Sequence, residues 1–352
     1  MMGLAGYAQL TGVFDWIAAR AVRIAGTSRF RLFALVYATG IVTTAFFSND
    51  ATIVVLTPAV IGALRRYDAS PVPYVVACAL IANAASFVLP ISNPSNLLVF
   101  ASRTPALAAW LRAFALPSLA AVGVTFVVVA FFYRRDLRGQ AAAVDTSRVN
   151  TPGAAPVALL TASAVIIVAV SAFAGPLGTA TFACALAVWL VTLARDRSGA
   201  RAIVTEIAWN VVALTATLFV IIDAIDNAGG FAATRTALAW CAALGTPWAS
   251  LATGFLTGVA ANIVNNLPVG LNLGTTLPAM HATAQMTQAA LIGVNLGPNA
   301  TVIGSLATLL WLRILKRNEI VVSPLAFARV GILATVPALA AALLLLYTVH
   351  SR

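Results

Sequence analysis

Two apolar stretches of this chain, residues 32–64 and 247–280, are 33 and 34 residues long and carry a polar knot near the middle. The knots read Ser48-Asn49-Asp50 and Asn265-Asn266-Leu267-Pro268. One membrane span needs about 20 apolar residues, and two spans with a turn need roughly 45. Each stretch is too long for one crossing and too short for two. The economical solution is a re-entrant hairpin of two half-depth helices. Non-helical backbone at that depth survives only where protein buries it or where it lines a watery cavity. Two such interruptions in corresponding halves point to the binding site of a secondary transporter.

The class follows from composition. Hydrophobic residues make up 61% of the chain and charged ones 9%, against about 25% charged in a soluble domain. An all-α polytopic membrane protein is expected. The net charge of +11 is no nucleic-acid footprint, because the charges are spread over short loops. Cys78, Cys184 and Cys241 are too far apart in sequence for a metal-ligand spacing or a disulfide framework. His281 and His350 cannot form a helical His pair. No metal, cofactor or catalytic cluster is expected, so a membrane enzyme is disfavoured. A passive channel needs a continuous polar pore, and mid-membrane hairpins argue against one.

The basic residues set the orientation. Of 21 Lys and Arg, 17 fall in five groups: Arg20, Arg23, Arg29 and Arg31; Arg65 and Arg66; Arg134, Arg135, Arg138 and Arg148; Arg195, Arg197 and Arg201; Arg313, Lys316, Arg317 and Arg329. The positive-inside rule places these groups in the cytoplasm. Residues 32–64, basic at both ends, must leave and return on one side.

The predicted organisation follows. Residues 1–31 hold a remnant of a scaffold helix and an amphipathic surface helix over 11–25. Residues 32–138 form a first transport repeat: re-entrant hairpin 32–64, broken helix 73–101 and helix 113–133. Residues 139–156 are a cytoplasmic linker, and 157–245 are scaffold helices followed by a surface helix. Residues 247–352 form a second transport repeat: hairpin 247–280, broken helix 287–314 and helix 324–349. The order recurs with opposite orientation, as an inverted repeat. Trp110, Trp209, Trp240, Trp248 and Trp311 are expected at the membrane interfaces.

Four knots share one design: Ser48-Asn49-Asp50, Ser92-Asn93-Pro94-Ser95-Asn96, Asn265-Asn266 and Gly297-Pro298-Asn299-Ala300-Thr301. A helix that starts at mid-membrane directs unsatisfied N–H groups and a positive dipole end into the cavity, and Asn, Asp and Ser cap such starts. The expected substrate-binding residues are Ser48, Asn49, Asp50, Ser92, Asn93, Ser95, Asn96, Asn265, Asn266, Gly297, Asn299 and Thr301. Any one knot alone could equally be a satisfied helix cap; four in symmetric order favour a pocket for a small polar solute. An ionisable residue inside a membrane is functional by default. Asp50 is therefore the first candidate for proton coupling and Asp223 the second. At Asp50, burial favours the protonated form and a helix N-terminus the ionised form, and the residues alone leave that balance open.

The knots also carry a resemblance. Phe47-Ser48-Asn49-Asp50-Ala51-Thr52, continuing through Leu56-Thr57-Pro58, resembles the first hairpin of arsenical efflux permeases of the ArsB type, in the ion-transporter superfamily. Ser92-Asn93 with Ser95-Asn96-Leu97 resembles their first broken helix, and Asn265-Asn266-Leu267-Pro268 their second hairpin tip. The most specific match is Asn295-Leu296-Gly297-Pro298-Asn299, continuing into Ile303-Gly304-Ser305-Leu306-Ala307-Thr308-Leu309-Leu310-Trp311. The resemblance implies a bacterial inner-membrane protein that exports arsenite and antimonite in exchange for protons. It also implies a homodimer, and it admits a cytoplasmic ATPase partner. It further implies about two spans ahead of the point where this chain begins. Asn93-Pro94-Ser95-Asn96 also resembles the wider superfamily, which contains sodium/proton antiporters and dicarboxylate carriers. A dicarboxylate carrier would repeat Ser-Asn-Thr at both tips; Asp50 and Leu267 stand at the third positions here.

Overall fold

The computed structural model describes residues 1–350 except 66, 68, 102–103, 142–149 and 208, and of 206, 210 and 211 the backbone alone. Arg66, Arg103, Arg148, Arg352 and residues 142–149 of the linker expected over 139–156 therefore lie outside the described residues.

The described residues are helical, with no strand longer than the single Ser28–Gln140 bridge. Helices α1 (Met2–Leu10) and α2 (Val13–Ala25) lead in. Next come α3 (Arg29–Phe47) and α4 (Asn49–Leu64), which meet at Ser48; α4 contains a π-helical turn over Thr52–Leu56. Helix α5 (Val72–Ala84) ends in a break that holds the 3-10 turn Pro90–Ser92, and α6 (Pro94–Phe100) resumes beyond it. The long α7 (Leu107–Phe132) closes this half. Four helices follow, α8 (Ala154–Ala172), α9 (Leu177–Arg195), α10 (Arg197–Glu206) and α11 (Trp209–Asn227). Helix α12 (Ala232–Ala243) bends away from α11 by 79°.

The second half repeats the first. Helices α13 (Trp248–Val264) and α14 (Asn266–Ala279) meet at Asn265. Helix α15 (Ala284–Leu296) ends in the 3-10 turn Gly297–Ala300, α16 (Leu306–Arg317) resumes, and α17 (Pro324–His350) closes. Helices α3, α7, α8, α9 and α17 are each long and apolar enough to cross a membrane, and the bent pair α11–α12 makes a sixth candidate.

Packing register shows how each hairpin turns back. Tyr74 on α5 donates its hydroxyl to the carbonyl of Arg29 at the start of α3, and Ser92 donates to Ala45 near its end. The separations, 45 and 47 residues, hold along the helices, so α3 and α5 run parallel. Helices α13 and α15 do the same. Thr257 donates to the Ala290 carbonyl, Asn262 to Gly297, and the Asn266 N–H to Gly304. A chain that joins two parallel neighbours must return between them, and α4 and α14 are those return strokes.

The arms are longer than the half-depth helices expected from the apolar stretches. Helix α3 has 19 residues, about 28 Å at 1.5 Å per residue. Depth is set instead by register: tip Ser48 is level with the break at Ser92, and tip Asn265 with the break at Gly304. Helix α16 continues 12 residues beyond its break, so the tips stop inside the thickness of the protein. Both ends of the first hairpin, Arg29 and Arg65, line one cavity with Asn318. That face also carries the Ser28–Gln140 bridge and so the basic end of α7.

Tryptophans divide between two environments. Trp209, Trp240 and Trp248 are exposed, whereas Trp110 and Trp311 are fully buried. Trp110 Nε1 donates to the Phe87 carbonyl within the first break, and Trp311 Nε1 donates to Val75 on α5. Buried indoles usually find a partner for the N–H, here a carbonyl in the first break for Trp110 and one on α5 for Trp311. These two brace the interior and are not interfacial anchors.

Candidate functional site

Each tip is a single residue that ends one helix and caps the next. Ser48 has φ 100° and ψ 162°; Asn265 has φ 81° and ψ 153°. That region of backbone space is open essentially only to Gly and costs other residues about 1–3 kcal/mol. Two non-Gly residues hold it at equivalent positions. Their side chains offset part of the cost, with Ser48 Oγ accepting from the Ala51 N–H and Asn265 Oδ1 from the Leu267 N–H. Residue by residue, Ser48 pairs with Asn265, Asn49 with Asn266 and Asp50 with Leu267.

The two breaks cross at the centre of the molecule, and amides join them. Asn295, one residue from the end of α15, accepts through Oδ1 from Ser86 Oγ at 2.6 Å and from Asn93 Nδ2 at 2.8 Å. Its Nδ2 donates to Asn96 Oδ1 at 2.9 Å. Asn83, one residue from the end of α5, donates to Asn299 Oδ1 at 3.0 Å, and Asn299 Nδ2 reaches the Leu80 carbonyl. All six of these Asn and Ser side chains are at most 1% exposed. The pairs run in opposite sequence directions, residues 80–86 against 295–299, so α5 and α15 cross antiparallel. That is the orientation of an inverted repeat. The second arms are exchanged as well: α14 packs on α6, with Gly270 against Ser95, and α4 packs on α16.

The structure places the expected residues in three settings. Asn96 and Asn299 are committed to the buried network. Asn265, Asn266 and Thr301 close the second tip onto the second break: Asn265 Nδ2 donates to Ile303, the Asn266 N–H to Gly304, and Thr301 Oγ1 to Asn262 Oδ1. Ser92 ties the first break to α3, and Gly297 lies against the Gly258 backbone. Ser95 N–H is capped by Asn93, while its buried hydroxyl has no hydrogen-bond partner. Asn49 is buried and accepts from the Asp50 N–H. Ser48, Asp50 and Asn93 share a cavity of about 740 Å³.

That cavity opens between the first tip, the first break and helices α1, α9, α10 and α11. Its walls include Leu97, Phe182, Leu186, Trp189 and Ile203. Among the described residues that line it, Asp50 has the one titratable side chain and none is Arg, Lys or His. Asn93 spends one N–H on Asn295 and one lone pair on Ser95, which leaves one of each for a guest. Asp223 is apart from this cavity, exposed on α11, where Asn227 donates to it. Its neighbour Asp226 pairs with Arg235 at 3.7 Å.

Sequence reasoning passed over Asn83, Ser86, Asn262 and Asn295 as site residues. Each lies in or beside an apolar helical run, and a lone Asn or Ser there gives no sign of its partner some 35–220 residues away. The available signal was position: Asn83 and Asn295 stand at the same place before the two breaks.

Comparison with known proteins completes the picture. The citrate transporter family (CitMHS) matches residues 1–303. An arsenical pump membrane protein of Yersinia enterocolitica is 30% identical over 346 residues, covering 94% of this chain and 80% of the relative. One from Escherichia coli is 30% identical over 347 residues with the same coverage. Among solved structures, the Alcanivorax borkumensis YdaH transporter, whose crystal structure is described as revealing an unusual topology, aligns at a TM-score of 0.53. It covers 99% of this chain and 83% of its own at 16% identity, a likeness of fold.

Proposed function

The chain belongs to the citrate transporter family, and we propose that within it this protein exports arsenite and antimonite in exchange for protons. The observation that carries the reading is the lining of the 740 Å³ cavity, whose described residues offer the hydroxyls of Ser48 and Thr181, the amide of Asn93 and the carboxyl of Asp50, with no cationic side chain. Arsenite at neutral pH is the uncharged trihydroxide, which gives and accepts hydrogen bonds. Ser48 and the spare N–H and lone pair of Asn93 suit it. Citrate is a multiply charged anion and calls for guanidinium or ammonium side chains, and none is among the described residues that line this cavity. The names of the curated relatives support the same solute.

Exchange needs a group whose charge differs between the outward and the return stroke. Asp50 stands at the first tip on the cavity wall. A charged carboxylate is costly to carry through an apolar region and a neutral one much less so. Protonated Asp50 accompanies the inward-moving proton, and ionised Asp50 remains where water reaches it. Ser48 and Asn93 orient the solute beside it, while the amide network holds the breaks still as the tip moves. A homodimer and an ATPase partner are carried by the resemblance alone and enter no step.

The test is expression in an arsenite-sensitive bacterium, with growth and cellular arsenic measured. Restored growth with lowered cellular arsenic is expected, and Asp50→Asn should lose both. Unchanged cellular arsenic, with uptake of labelled citrate or sodium into everted vesicles instead, would overturn the assignment.

A further inference from the structure

Asn93 belongs both to the cavity wall and to the buried amide network. Its Oδ1 accepts from the Ser95 N–H at 3.0 Å, and its Nδ2 donates to Asn295 Oδ1 at 2.8 Å. Asn295 Nδ2 donates in turn to Asn96 Oδ1 and to the Leu291 carbonyl, both at 2.9 Å. Asn96 Nδ2 ends the chain on the carbonyls of Ser86, Leu89 and Pro90. A main-chain N–H only donates and a carbonyl only accepts. The backbone at the two ends therefore fixes which side of each of the three amides is oxygen. Nothing inside an Asn side chain fixes the plane of its amide, because its last torsion is broad. One hydrogen bond would let the Asn93 amide swing; two, one on its oxygen and one on its nitrogen, hold it. Asn295 supplies the second. It stands on α15 of the second repeat and is not among the described residues that line the cavity.

We propose that Asn295 is a positioning residue for solute recognition: it does not touch the solute, and it decides which groups of Asn93 the solute meets. With both bonds made, Asn93 keeps one N–H and one lone pair for a guest, which matches a hydroxyl that gives and accepts. Without the Asn295 oxygen, the Asn93 amino group loses a buried partner and the amide is free to turn. The solute then has to order the amide itself, a cost that a preorganised site avoids. Recognition at the first break thus depends on a side chain of the second repeat, and it holds only while the two breaks stay crossed. The inference rests on the reading of the 740 Å³ cavity as the arsenite site.

The experiment measures arsenite transport by the full chain in everted vesicles, as KM and as maximal rate per folded molecule. Asn295→Leu keeps the size of the side chain and removes the acceptor; KM should rise about tenfold, with the maximal rate changed less. Asn295→Asp keeps an oxygen for Asn93 and, as the neutral acid, an O–H for Asn96. It should hold KM within about twofold although it gives up the Leu291 bond. Thr257→Val removes a buried bond between α13 and α15 that does not reach Asn93, and it should leave KM unchanged. Added to Asn93→Ala, Asn295→Leu should raise KM no further, because it acts through Asn93. Asn295→Ser, whose shorter side chain leaves room for a water, decides the matter if Asn295→Leu fails to accumulate. An unchanged KM in Asn295→Leu or Asn295→Ser, an equal rise in Asn295→Asp or Thr257→Val, or a further rise in the double variant overturns the proposal. If the wild type moves no arsenite, the assigned solute falls, and unfolding midpoints of the Asn93→Ala and Asn295→Leu variants, single and combined, decide this inference. A combined loss smaller than the sum keeps the two amides coupled, and additive losses overturn it.

Discussion

The two hairpin tips have the same backbone and different chemistry. Ser48 and Asn265 hold the same Gly-like conformation, cap the next helix by the same kind of bond, and lie level with equivalent helix breaks. Yet the first tip presents Asp50 to a large cavity, while Asn265 and Asn266 of the second are bonded to its own break at Ile303 and Gly304. The conformation belongs to the repeat and the chemistry to the side chains placed on it. A strained tip fixes where a helix starts inside the protein. Whether that start meets solute or backbone depends on the third residue, Asp50 or Leu267, and on the neighbouring helices.

The amide network shows the same inequality, and breaking it has the largest expected effect. Asn295 serves three buried partners, Ser86, Asn93 and Asn96, whereas Asn83 serves the side chain of one, Asn299. Each buried polar group left unpaired costs about 1–3 kcal/mol. Asn295→Ala is expected to lose about 3 kcal/mol or more and to accumulate poorly; Asn83→Ala should lose about a third of that and remain folded. Thermal unfolding of the purified variants measures both. Equal losses would make the breaks equivalent and end the comparison.

Next in size is a change of function with the fold intact. Asp50→Asn keeps the size and hydrogen-bonding capacity of the side chain but cannot titrate. Uphill arsenite export driven by a pH gradient in everted vesicles should disappear, while downhill arsenite movement persists. Leu267→Asn, the same residue at the equivalent place of the other tip, should leave uphill export within about twofold of wild type, since roughly 0.4 kcal/mol separates rates that differ by that factor. If Asp50→Asn still concentrates arsenite at wild-type rates, Asp50 is a cap only.

A smaller effect separates the parallel helix pairs. In the second repeat α13 and α15 touch backbone to backbone, and a Cβ on Gly297 would meet Gly258 main-chain atoms. In the first repeat a Cβ on Gly40 would meet only the side chain of Ile81, with its Cγ2 at 2.6 Å. Backbone cannot turn aside and a side chain can. Overpacking costs about 1–3 kcal/mol, so Gly297→Ala should fall at the upper end and Gly40→Ala at or below the lower, read again from unfolding midpoints.

Much of this architecture was legible in the chain because membranes leave so few options. An apolar stretch of the wrong length, with Ser48-Asn49-Asp50 in its middle and arginines at both ends, has one economical solution. The all-helical fold and the positions of the breaks followed from the same pressure. What stayed illegible was pairing. Trp110 and Trp311 look like interfacial anchors until their N–H groups are traced to interior carbonyls, Phe87 in the first break and Val75 on α5. Asn96 and Asn299 look like solute ligands until their partners appear across the molecule, because composition marks an amide as valuable in an apolar setting without saying who uses it. Asp223 lies on α11, most of whose described residues are exposed, and it is not among the described residues that line the cavity that holds Asp50.

The gentlest prediction concerns the first hairpin's return and leaves activity nearly untouched. Arg29 and Arg65 line one cavity, and both follow the distribution of positive charge expected on the cytoplasmic face. A span would separate them by about 30 Å of hydrocarbon; a re-entrant hairpin keeps them together. Single cysteines at Arg31 and Arg65 should therefore both react with a membrane-impermeant maleimide from the cytoplasmic side only, in everted vesicles and not in intact cells. The native Cys78, Cys184 and Cys241 are buried and give a low background. For the second hairpin the inverted repeat requires the opposite result. Cysteines at Trp248 and Met280 should react from outside alone, because α13 and α15 run parallel and α14 must bring the chain back to the side it left. A single site in either pair that reacts from the wrong side would turn that hairpin into a crossing and separate the two halves whose likeness rests on it.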